Sequence, residues 1–432
     1  MIKRHKILLT LAMLLLLILG YVFRPGQLDP RFYPSDSPAV IPDASLGFTD
    51  YVMNNRARVR EALTKYNFTK ETWPFGTAYP LERVVDMRAP YQIEPTGSDC
   101  SNQSTQGFLL IHGLSDSPWL LRSVAQTLSE QFSCALIRGL LSPGHGTVPG
   151  DLKTVRREDW AATVAWGVDS FADLADELYI VGYSNGAPLA LQYLDQHRES
   201  KRITGLILLS PGLEVRDKLA PLSPYVGLLR PWVARHEDRD AAKYESFPMH
   251  AVAEFYRLTQ SVTDAAFRPL DVPVMMVMSG NDTTVNPQAA LDFFCSRVSG
   301  RRLGIWYESP PSDSAPPQTC SGLETHRLQN DDPRFVSYSH VAIAIPPDDP
   351  HYGKDGNYAN CLAYAVGSEN RDSCVQDPAA TVYGENDLID ENGLYQGKLL
   401  RRASYNPDFD AMMEQVRCFI LGTCGITADE TD

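Results

Sequence analysis

The stretch Leu178-Tyr-Ile-Val-Gly-Tyr-Ser184-Asn-Gly-Ala-Pro-Leu-Ala-Leu-Gln-Tyr-Leu194 decides how the rest of the chain is interpreted. A short apolar run ends at Gly182, and apolar residues recur at helical spacing after Ser184. Glycine at 182 and at 186 leaves room for the backbone to double back where a side chain would collide with a neighbouring strand or helix. The pattern predicts a strand, a sharp turn and a helix, with the Ser184 hydroxyl raised above the sheet edge. The helix amides point at this hydroxyl, so Ser184 is a candidate nucleophile.

The composition sets broad limits on the fold and the partners. The chain has 432 residues, of which 44% are hydrophobic, so it can bury a large core as one elaborated domain or as two domains. Its 39 basic and 53 acidic residues give a net charge of −14, which argues against nucleic acid or another polyanion as the main partner.

The amino terminus has the pattern of a membrane segment. Lys3, Arg4 and Lys6 precede an uncharged apolar run over residues 7–23, at the short end of the length that spans a bilayer. No small-x-small cleavage site follows, so we expect a retained anchor with an exported body, and the alternative is a cleaved signal and secretion. Residues 24–47 carry five prolines without apolar periodicity, which predicts an extended tether.

Export makes the eight cysteines interpretable as disulfides, because their number is even and the compartment is oxidising. Their spacing fits no zinc pattern, and we expect neither a metal nor an organic cofactor. Proximity in sequence favours these pairs: Cys100–Cys134, Cys295–Cys320, Cys361–Cys374 and Cys418–Cys424.

Apolar runs of the buried-strand type alternate with helical segments between residues 107 and 278. This alternation predicts a mostly parallel sheet with helices on both faces, a three-layer α/β fold. The predicted strands are Gly107–Ile111, Cys134–Ile137, Leu178–Gly182, Ile203–Leu209 and Val272–Met278, and the predicted helices are Ser117–Gln131, Arg157–Leu174 and Asp408–Leu421.

The segment before this region is expected to hold a helix and a strand pair. Thr49 or Asp50 is a candidate cap for a helix that runs to about Tyr66 and has Val52, Val59 and Leu63 on one face. The strand pair is Leu81–Met87 with Tyr91–Glu94.

Five short motifs follow one another along the chain: Leu110-Ile-His112-Gly113-Leu114, Ser142-Pro-Gly-His-Gly146, Gly182-Tyr-Ser-Asn-Gly186, Ser279-Gly-Asn-Asp282-Thr-Thr-Val285 and Ser337-Tyr-Ser-His340-Val. In this order they resemble the α/β-hydrolase superfamily, and within it the carboxylesterase and monoacylglycerol-lipase-like serine hydrolases. The resemblance covers about residues 80–345 and the last helix, and implies one hydrolase domain over 48–432.

A serine nucleophile needs a histidine to take its proton and a carboxylate to orient the imidazole. Asp282 directly follows a predicted strand, at the edge where parallel sheets place their sites, whereas Asp271 precedes that strand at the opposite edge. His340 is favoured as the base because its surroundings resemble the family's strand-to-loop histidine, and His351 is the fallback. The order Ser184, Asp282, His340 is the one that this superfamily uses.

Attack by the serine also needs donors for the oxyanion that forms. The amide of Asn185, the residue after the nucleophile, is one predicted donor. Leu114 matches the residue whose amide supplies the second in this family.

Three insertions depart from the compact family pattern. Residues 214–268 occupy the position of a cap, where the apolar side chains predict either a wall around an acyl chain or a helical insertion packed on the core. Two polar insertions, 300–330 and 348–406, are expected to shape the pocket rim without touching the catalytic residues.

Together these observations predict a membrane-tethered, exported serine hydrolase of carboxylic esters, with monoacylglycerols, lysophospholipids or other short lipid esters as candidate substrates. Its partners would be that small-molecule or lipid ester and the membrane contacted through residues 7–23. Acyl transfer or thioester hydrolysis through the same acyl-enzyme is an alternative. A non-catalytic envelope protein that uses the scaffold for binding is an alternative of another class.

Overall fold

The computed structural model describes residues 29–424 except 38–40, 68–78, 99, 101–103, 228, 311–314, 330 and 331. The predicted anchor, residues 7–23, lies outside the described residues. Within the described ranges, no helix has both the length and the apolar character needed to cross a bilayer.

An eight-stranded sheet forms the centre of the structure, in the order β1-β3-β2-β4-β5-β8-β9-β10. All neighbours pair in parallel except β1, which runs antiparallel to β3. The strands are β1 Tyr91–Ile93, β2 Gln106–Ile111, β3 Leu136–Leu140, β4 Glu177–Tyr183, β5 Gly205–Leu209, β6 Trp232–Ala234, β7 Phe247–Pro248, β8 Val274–Ser279, β9 Arg302–Glu308, β10 Leu323–Arg327, β11 Thr381–Gly384 and β12 Leu399–Arg402.

Helices cover both faces of this sheet, as the alternation of apolar runs predicts. The helices are α1 Phe48–Ala62, α2 Leu81–Arg88, α3 Arg122–Gln131, α4 Arg157–Asp169, α5 Gly186–Gln196, α6 Ser223–Val226, α7 Met249–Thr263, α8 Pro287–Arg297, α9 Glu369–Gln376 and α10 Phe409–Leu421. Alternate residues of β4 enter different cores: Val181 packs with α2, α3 and α10 on one face, and Ile180 packs with α4, α5, α7 and α8 on the other. Burial on both faces explains why the central strands are continuous apolar runs.

The predicted strand pair before β2 is half wrong. Only Tyr91–Ile93 is a strand, and Leu81–Met87 lies in the helix α2. The buried side chains of Val84, Val85 and Met87 face the core while Glu82 and Asp86 are exposed, which is helical rather than alternating spacing. Helix α1 also begins at Phe48 after Gly47, before the predicted cap residues Thr49 and Asp50.

The prediction that residues 300–330 form a polar insertion is wrong for two segments of this range, because strands β9 and β10 belong to the central sheet. Strand β10 is at the sheet edge and is half exposed, so its sequence Leu-Glu-Thr-His-Arg has the polarity of a loop. Residues 335–341, which resemble the family's strand-to-loop histidine segment, contain no strand in the described structure, and Phe335 makes a single bridge to Tyr383.

Part of the predicted tether packs on the body. Phe32 is buried, with its ring centroid 5.0 Å from that of Trp232. Arg31 donates to the carbonyl of Glu237 at 3.0 Å and pairs with Asp238 at 3.4 Å. The start of the described segment, at Arg31 and Phe32, therefore packs against the cap.

All four predicted disulfides are confirmed: Cys100–Cys134, Cys295–Cys320, Cys361–Cys374 and Cys418–Cys424. No free cysteine remains among the described residues.

Candidate active site

Strand β4 ends at Tyr183 and helix α5 begins at Gly186, so Ser184 lies in the tight turn between them. Its φ of 51° is in the left-handed region, which a residue other than glycine adopts only at a cost. A Cβ at Gly186 would lie 2.1 Å from the carbonyl oxygen of Ile111, and one at Gly182 would lie 2.7 Å from the carbonyl oxygen of Gly186. Both glycines are therefore required by close backbone approach, as the sequence predicts.

Ser184, His340 and Asp282 form a continuous chain of hydrogen bonds. The Ser184 Oγ lies 2.9 Å from the His340 Nε2, and the His340 Nδ1 lies 2.6 Å from the Asp282 Oδ2. All three side chains are buried. The Asp282 carboxylate has no proton to donate, so Nδ1 carries the imidazole proton and Nε2 is free to accept the serine proton.

Each partner of the serine is held by its own loop. Asp282 follows β8, and its Oδ1 accepts hydrogen bonds from the amides of Thr284 at 2.8 Å and Val285 at 3.0 Å. The carbonyl of His340 accepts from the Tyr183 hydroxyl at 3.2 Å and the Ser210 hydroxyl at 2.9 Å. These contacts fix the Asp282 carboxylate and the backbone of His340 before any substrate arrives.

Leu114 and Asn185, the two predicted oxyanion donors, lie close to Ser184. Leu114 lines the same cavity as Ser184, and Asn185 is the residue that caps α5. Within the described part of the chain, neither backbone amide donates to a protein acceptor. Both amides are therefore available to a ligand, and their part in catalysis remains a prediction.

The other buried histidines serve the scaffold. His351, the fallback base, bonds through Nδ1 to the Tyr79 hydroxyl at 2.7 Å and through Nε2 to the Asp240 carboxylate at 2.9 Å. The Nε2 atoms of His112 and His145 each accept a backbone amide at 3.0 Å. Burial lowers the pKa of His112 well below its ordinary value and that of His145 to about 4, so both rings are neutral acceptors that shape loops.

A cavity of about 450 Å³ opens on the Ser184 hydroxyl. Its wall is mostly apolar and comes largely from the cap, and the role of this wall in holding an acyl chain stays a prediction. Other cap residues, Ala251, Leu258 and Val262, belong to the hydrophobic core on one face of the sheet, so the cap also packs on the core as the second interpretation holds. Six of the cap residues that line the cavity are Leu219, Ala220, Leu222, Val226, Met249 and Phe255.

Charged side chains also line this cavity near Ser184. Asp116, only 6% exposed, contributes a carboxylate, and Lys243 from the cap reaches to 3.9 Å from it. Burial raises the pKa of Asp116 to about 6, and the charge of Lys243 opposes that rise. Arg402 also lines the cavity.

The C-terminal insertion reaches the site, contrary to our expectation that it would not. Its Glu385 carboxylate accepts the amide hydrogen of His340 at 3.3 Å, and its Arg402 donates to Thr284 at 2.6 Å. Sequence analysis did not single out Asp116, Glu385 or Arg402 as site residues. A sequence signal exists only for Asp116, which is a charged residue in the loop after β2. Glu385 and Arg402 lie in a polar segment without periodicity.

A parallel sheet with a strained serine after one strand, a carboxylate after another and a histidine in a later loop is the arrangement of an α/β-hydrolase. A profile described as the alpha/beta hydrolase family matches residues 108–328, just over half of the chain. The chain therefore belongs to the alpha/beta hydrolase family.

Individual relatives are distant. A thermostable monoacylglycerol lipase of Bacillus sp. (strain H-257) is 24% identical over 187 residues, which are 42% of this chain and 72% of the relative. Among solved structures, a metagenome-derived lipolytic enzyme is 18% identical, with a TM-score of 0.44, over 51% of this chain and 87% of its own. A soluble variant of the monoglyceride lipase of Saccharomyces cerevisiae is 14% identical, with a TM-score of 0.40, over 50% of this chain and 82% of its own.

Proposed function

We propose that the protein is a serine hydrolase that cleaves a carboxylic ester between one acyl chain and a small polar alcohol, of the monoacylglycerol or lysophospholipid kind. The observation that carries this proposal is the chain of hydrogen bonds from Asp282 through His340 to Ser184, which ends in an apolar cavity with a charged end. The name of the Bacillus relative, a monoacylglycerol lipase, supports the choice of substrate.

Acylation begins when the Ser184 oxygen attacks the ester carbonyl carbon while the His340 Nε2 takes the hydroxyl proton. The carbonyl oxygen becomes an oxyanion, which the amides of Leu114 and Asn185 stabilise, each by about 3–4 kcal/mol of barrier. Asp282 holds the imidazolium in place and offsets its charge. Collapse of the tetrahedral intermediate breaks the bond to the alkoxy oxygen, and His340 delivers the proton to that oxygen as the alcohol leaves.

Water completes the reaction by the same route. His340 takes a proton from water, the hydroxide oxygen attacks the acyl carbon, and the ester bond to Ser184 breaks as its oxygen recovers the proton. The products are a carboxylic acid and the free enzyme. No step needs a metal or an organic cofactor.

The shape of the cavity favours this substrate class. Apolar side chains of the cap line the cavity wall. An acyl chain bound against them would remove apolar surface from water, which is favourable. Asp116 and Lys243 stand at the charged end, where they can accept from and donate to the hydroxyl groups of the alcohol.

We further propose that the hydrolase domain is exported and held at a membrane by residues 7–23. The basic flank before that segment and the four disulfides support this location, because disulfides persist in oxidising compartments. Protease treatment of intact cells, followed by alkaline extraction of their membranes, tests both parts. Recovery of a soluble, protected protein would refute the proposal.

The activity is tested on the full chain with p-nitrophenyl acyl esters of increasing length and with a fluorophosphonate probe. We expect turnover and labelling in the wild type, both abolished by Ser184→Ala and both retained by Ser299→Ala, a serine at the far end of the sheet that bonds the Leu270 carbonyl. Labelling that survives in Ser184→Ala would reject the nucleophile. Competing acceptor alcohols distinguish hydrolysis from acyl transfer, and acyl thioesters test the thioesterase alternative.

A further inference from the structure

The C-terminal insertion carries a buried ion pair next to the proposed catalytic histidine. Strands β11 and β12 are parallel, and Gly384 pairs with Arg402, which brings Glu385 and Arg402 together at the ends of the two strands. The Arg402 Nε lies 2.7 Å from the Glu385 Oε1, and the Arg402 Nη2 lies 2.9 Å from the Glu385 Oε2. This two-point contact fixes both side chains in one orientation.

The pair contacts both loops that serve Ser184. The Glu385 Oε2 accepts the amide hydrogen of His340 at 3.3 Å, and the Glu385 amide donates to the Ser337 hydroxyl at 2.8 Å, three residues earlier in the same loop. The Arg402 Nη2 donates to the Thr284 hydroxyl at 2.6 Å, and the Thr284 amide in turn donates to the Asp282 carboxylate at 2.8 Å. One ion pair therefore links the histidine loop to the aspartate loop.

Stability alone is a weak explanation for such a pair. Glu385 is fully buried and the Arg402 side chain is 15% exposed, so both charges lose most of their hydration, and buried ion pairs seldom repay that cost in net stability. Burial lowers the pKa of Arg402, but the charges of Glu385 and Asp282 outweigh this and raise it above its ordinary value. Arg402 thus stays a cation beside Asp282.

We propose that Glu385 and Arg402 are positioning residues, which hold His340 and Asp282 in register and keep the charge around the imidazole balanced. This inference rests on the proposed function. It assigns a task to the insertion 348–406, which lies beyond the part of the chain that matches the family profile.

The charge balance around the imidazole can be tested separately from the geometry. The charged groups of the described chain that face His340, its loop and the Asp282 loop are Asp282, Asp408 and three ion pairs, which are Asp116 with Lys243, Glu385 with Arg402, and Asp387 with Arg216. Above about pH 6, the pKa of Asp116, each pair is neutral as a whole. Removing the carboxylate at 385 leaves one extra positive charge near the ring, which disfavours the imidazolium.

The experiment measures kcat and KM against pH for a p-nitrophenyl ester in the full chain. In Glu385→Gln we expect kcat to fall about 10–100-fold through lost alignment, and the acid limb of kcat/KM to move about 0.5–1 pH unit lower. In the double variant Glu385→Gln/Arg402→Met, the extra charge is gone, so the acid limb returns to its wild-type position while kcat stays low. Arg402→Lys keeps the charge and should retain the acid limb with partial activity.

Arg301→Lys is the control, because Arg301 precedes β9 at the edge of the sheet opposite Ser184 and donates to the carbonyl of Phe419. It should change thermal stability without moving the acid limb. An acid limb that stays in place in Glu385→Gln, or activity losses no larger than in the control, would overturn the inference.

A second readout does not depend on turnover. The proton between the His340 Nδ1 and Asp282 should give a far-downfield NMR signal, whose titration moves to lower pH in Glu385→Gln and returns in the double variant. Wild-type protein that hydrolyses no ester would refute the proposed function alone, and the NMR titration would still decide the inference. Active wild type with an unaltered Glu385→Gln variant would refute the inference alone.

Discussion

The Asp116 Oδ1 lies 3.9 Å from the Lys243 Nζ, close to Ser184. The two residues belong to different parts of the fold. Asp116 belongs to the loop after β2, and Lys243 belongs to the cap between β6 and β7. Within the described chain, their charged ends make no hydrogen bond to another protein group, although both side chains are largely buried. A pair with unused hydrogen-bonding capacity at a cavity wall suits the hydroxyl groups of an alcohol.

The first prediction concerns this pair. Asp116→Asn and Lys243→Met should each lower kcat/KM for a monoacylglycerol about tenfold. In each variant the other member of the pair is left without its charged partner next to the substrate. The methyl ester of the same acid, whose alcohol offers no further hydroxyl, should change less than about twofold. Lys218→Met removes the same charge from the exposed side of the cap and serves as the control. Equal losses on both esters would refute the assignment.

A second prediction follows from the backbone of the nucleophile. Because the φ of Ser184 is 51°, glycine should fit this position better than alanine. Ser184→Gly and Ser184→Ala both remove the hydroxyl, so both should be inactive, and Ser184→Gly should be more stable by about 1 kcal/mol. Denaturant unfolding of the two variants measures the difference. A more stable alanine variant would show that the turn is unstrained in solution.

The third prediction uses the buried carboxylate of Glu245, whose partners are the Tyr358 hydroxyl at 2.6 Å and the Arg239 amide at 2.7 Å. Burial raises the pKa of Glu245 to about 7 in the folded protein, from an ordinary value of 4.5. The folded state therefore holds its proton more tightly, and this group's contribution to stability is lost as pH rises from about 4.5 to about 7.

Glu245→Gln should remove this dependence. The free energy of unfolding of the variant minus that of the wild type should be up to about 3 kcal/mol larger at pH 8 than at pH 4.5. At pH 4.5 the side chain at 245 is neutral in both folded proteins. Urea unfolding across that range measures the gain. Glu254→Gln is the control, since Glu254 is equally buried but is paired with Arg257, and it should lose stability at pH 8. A wild type and Glu245→Gln that respond alike to pH would contradict the prediction.

The central sheet could be predicted because burial on both faces leaves a strong local signal. Strands β2, β4, β5 and β8 are continuous apolar runs, and the turn at Ser184 requires glycine on both sides for steric reasons that act over a few residues. The disulfides could be predicted because each joins cysteines close in sequence. In each case the deciding interaction lies within one element or between neighbours along the chain.

The residues that sequence analysis assigned wrongly or missed depend on contacts between segments that are far apart along the chain. Strand β10 is polar because it lies at the sheet edge, and only its pairing with β9 identifies it as a strand. Glu385 and Arg402 meet the histidine loop through tertiary contacts that leave no periodicity in the sequence. The structure brings Ser184, Asp282 and His340 together, as the motif order indicates, whereas their catalytic roles and those of the Leu114 and Asn185 amides stay predictions.

The last prediction links a disulfide to the site. Cys361–Cys374 closes a loop next to β12, and the Cys374 carbonyl accepts a hydrogen bond from Arg401, the residue before Arg402. Replacing both cysteines by serine should cost about 3 kcal/mol of stability, by the entropy of a loop of this length. Because β12 loses a support, kcat should also fall in protein that is still fully folded. The control is Cys418→Ser/Cys424→Ser, whose loop is shorter and lies at the end of α10, which should cost about 2 kcal/mol and leave kcat unchanged. If the first variant keeps full kcat under conditions where circular dichroism shows it folded, the insertion does not support the site through β12.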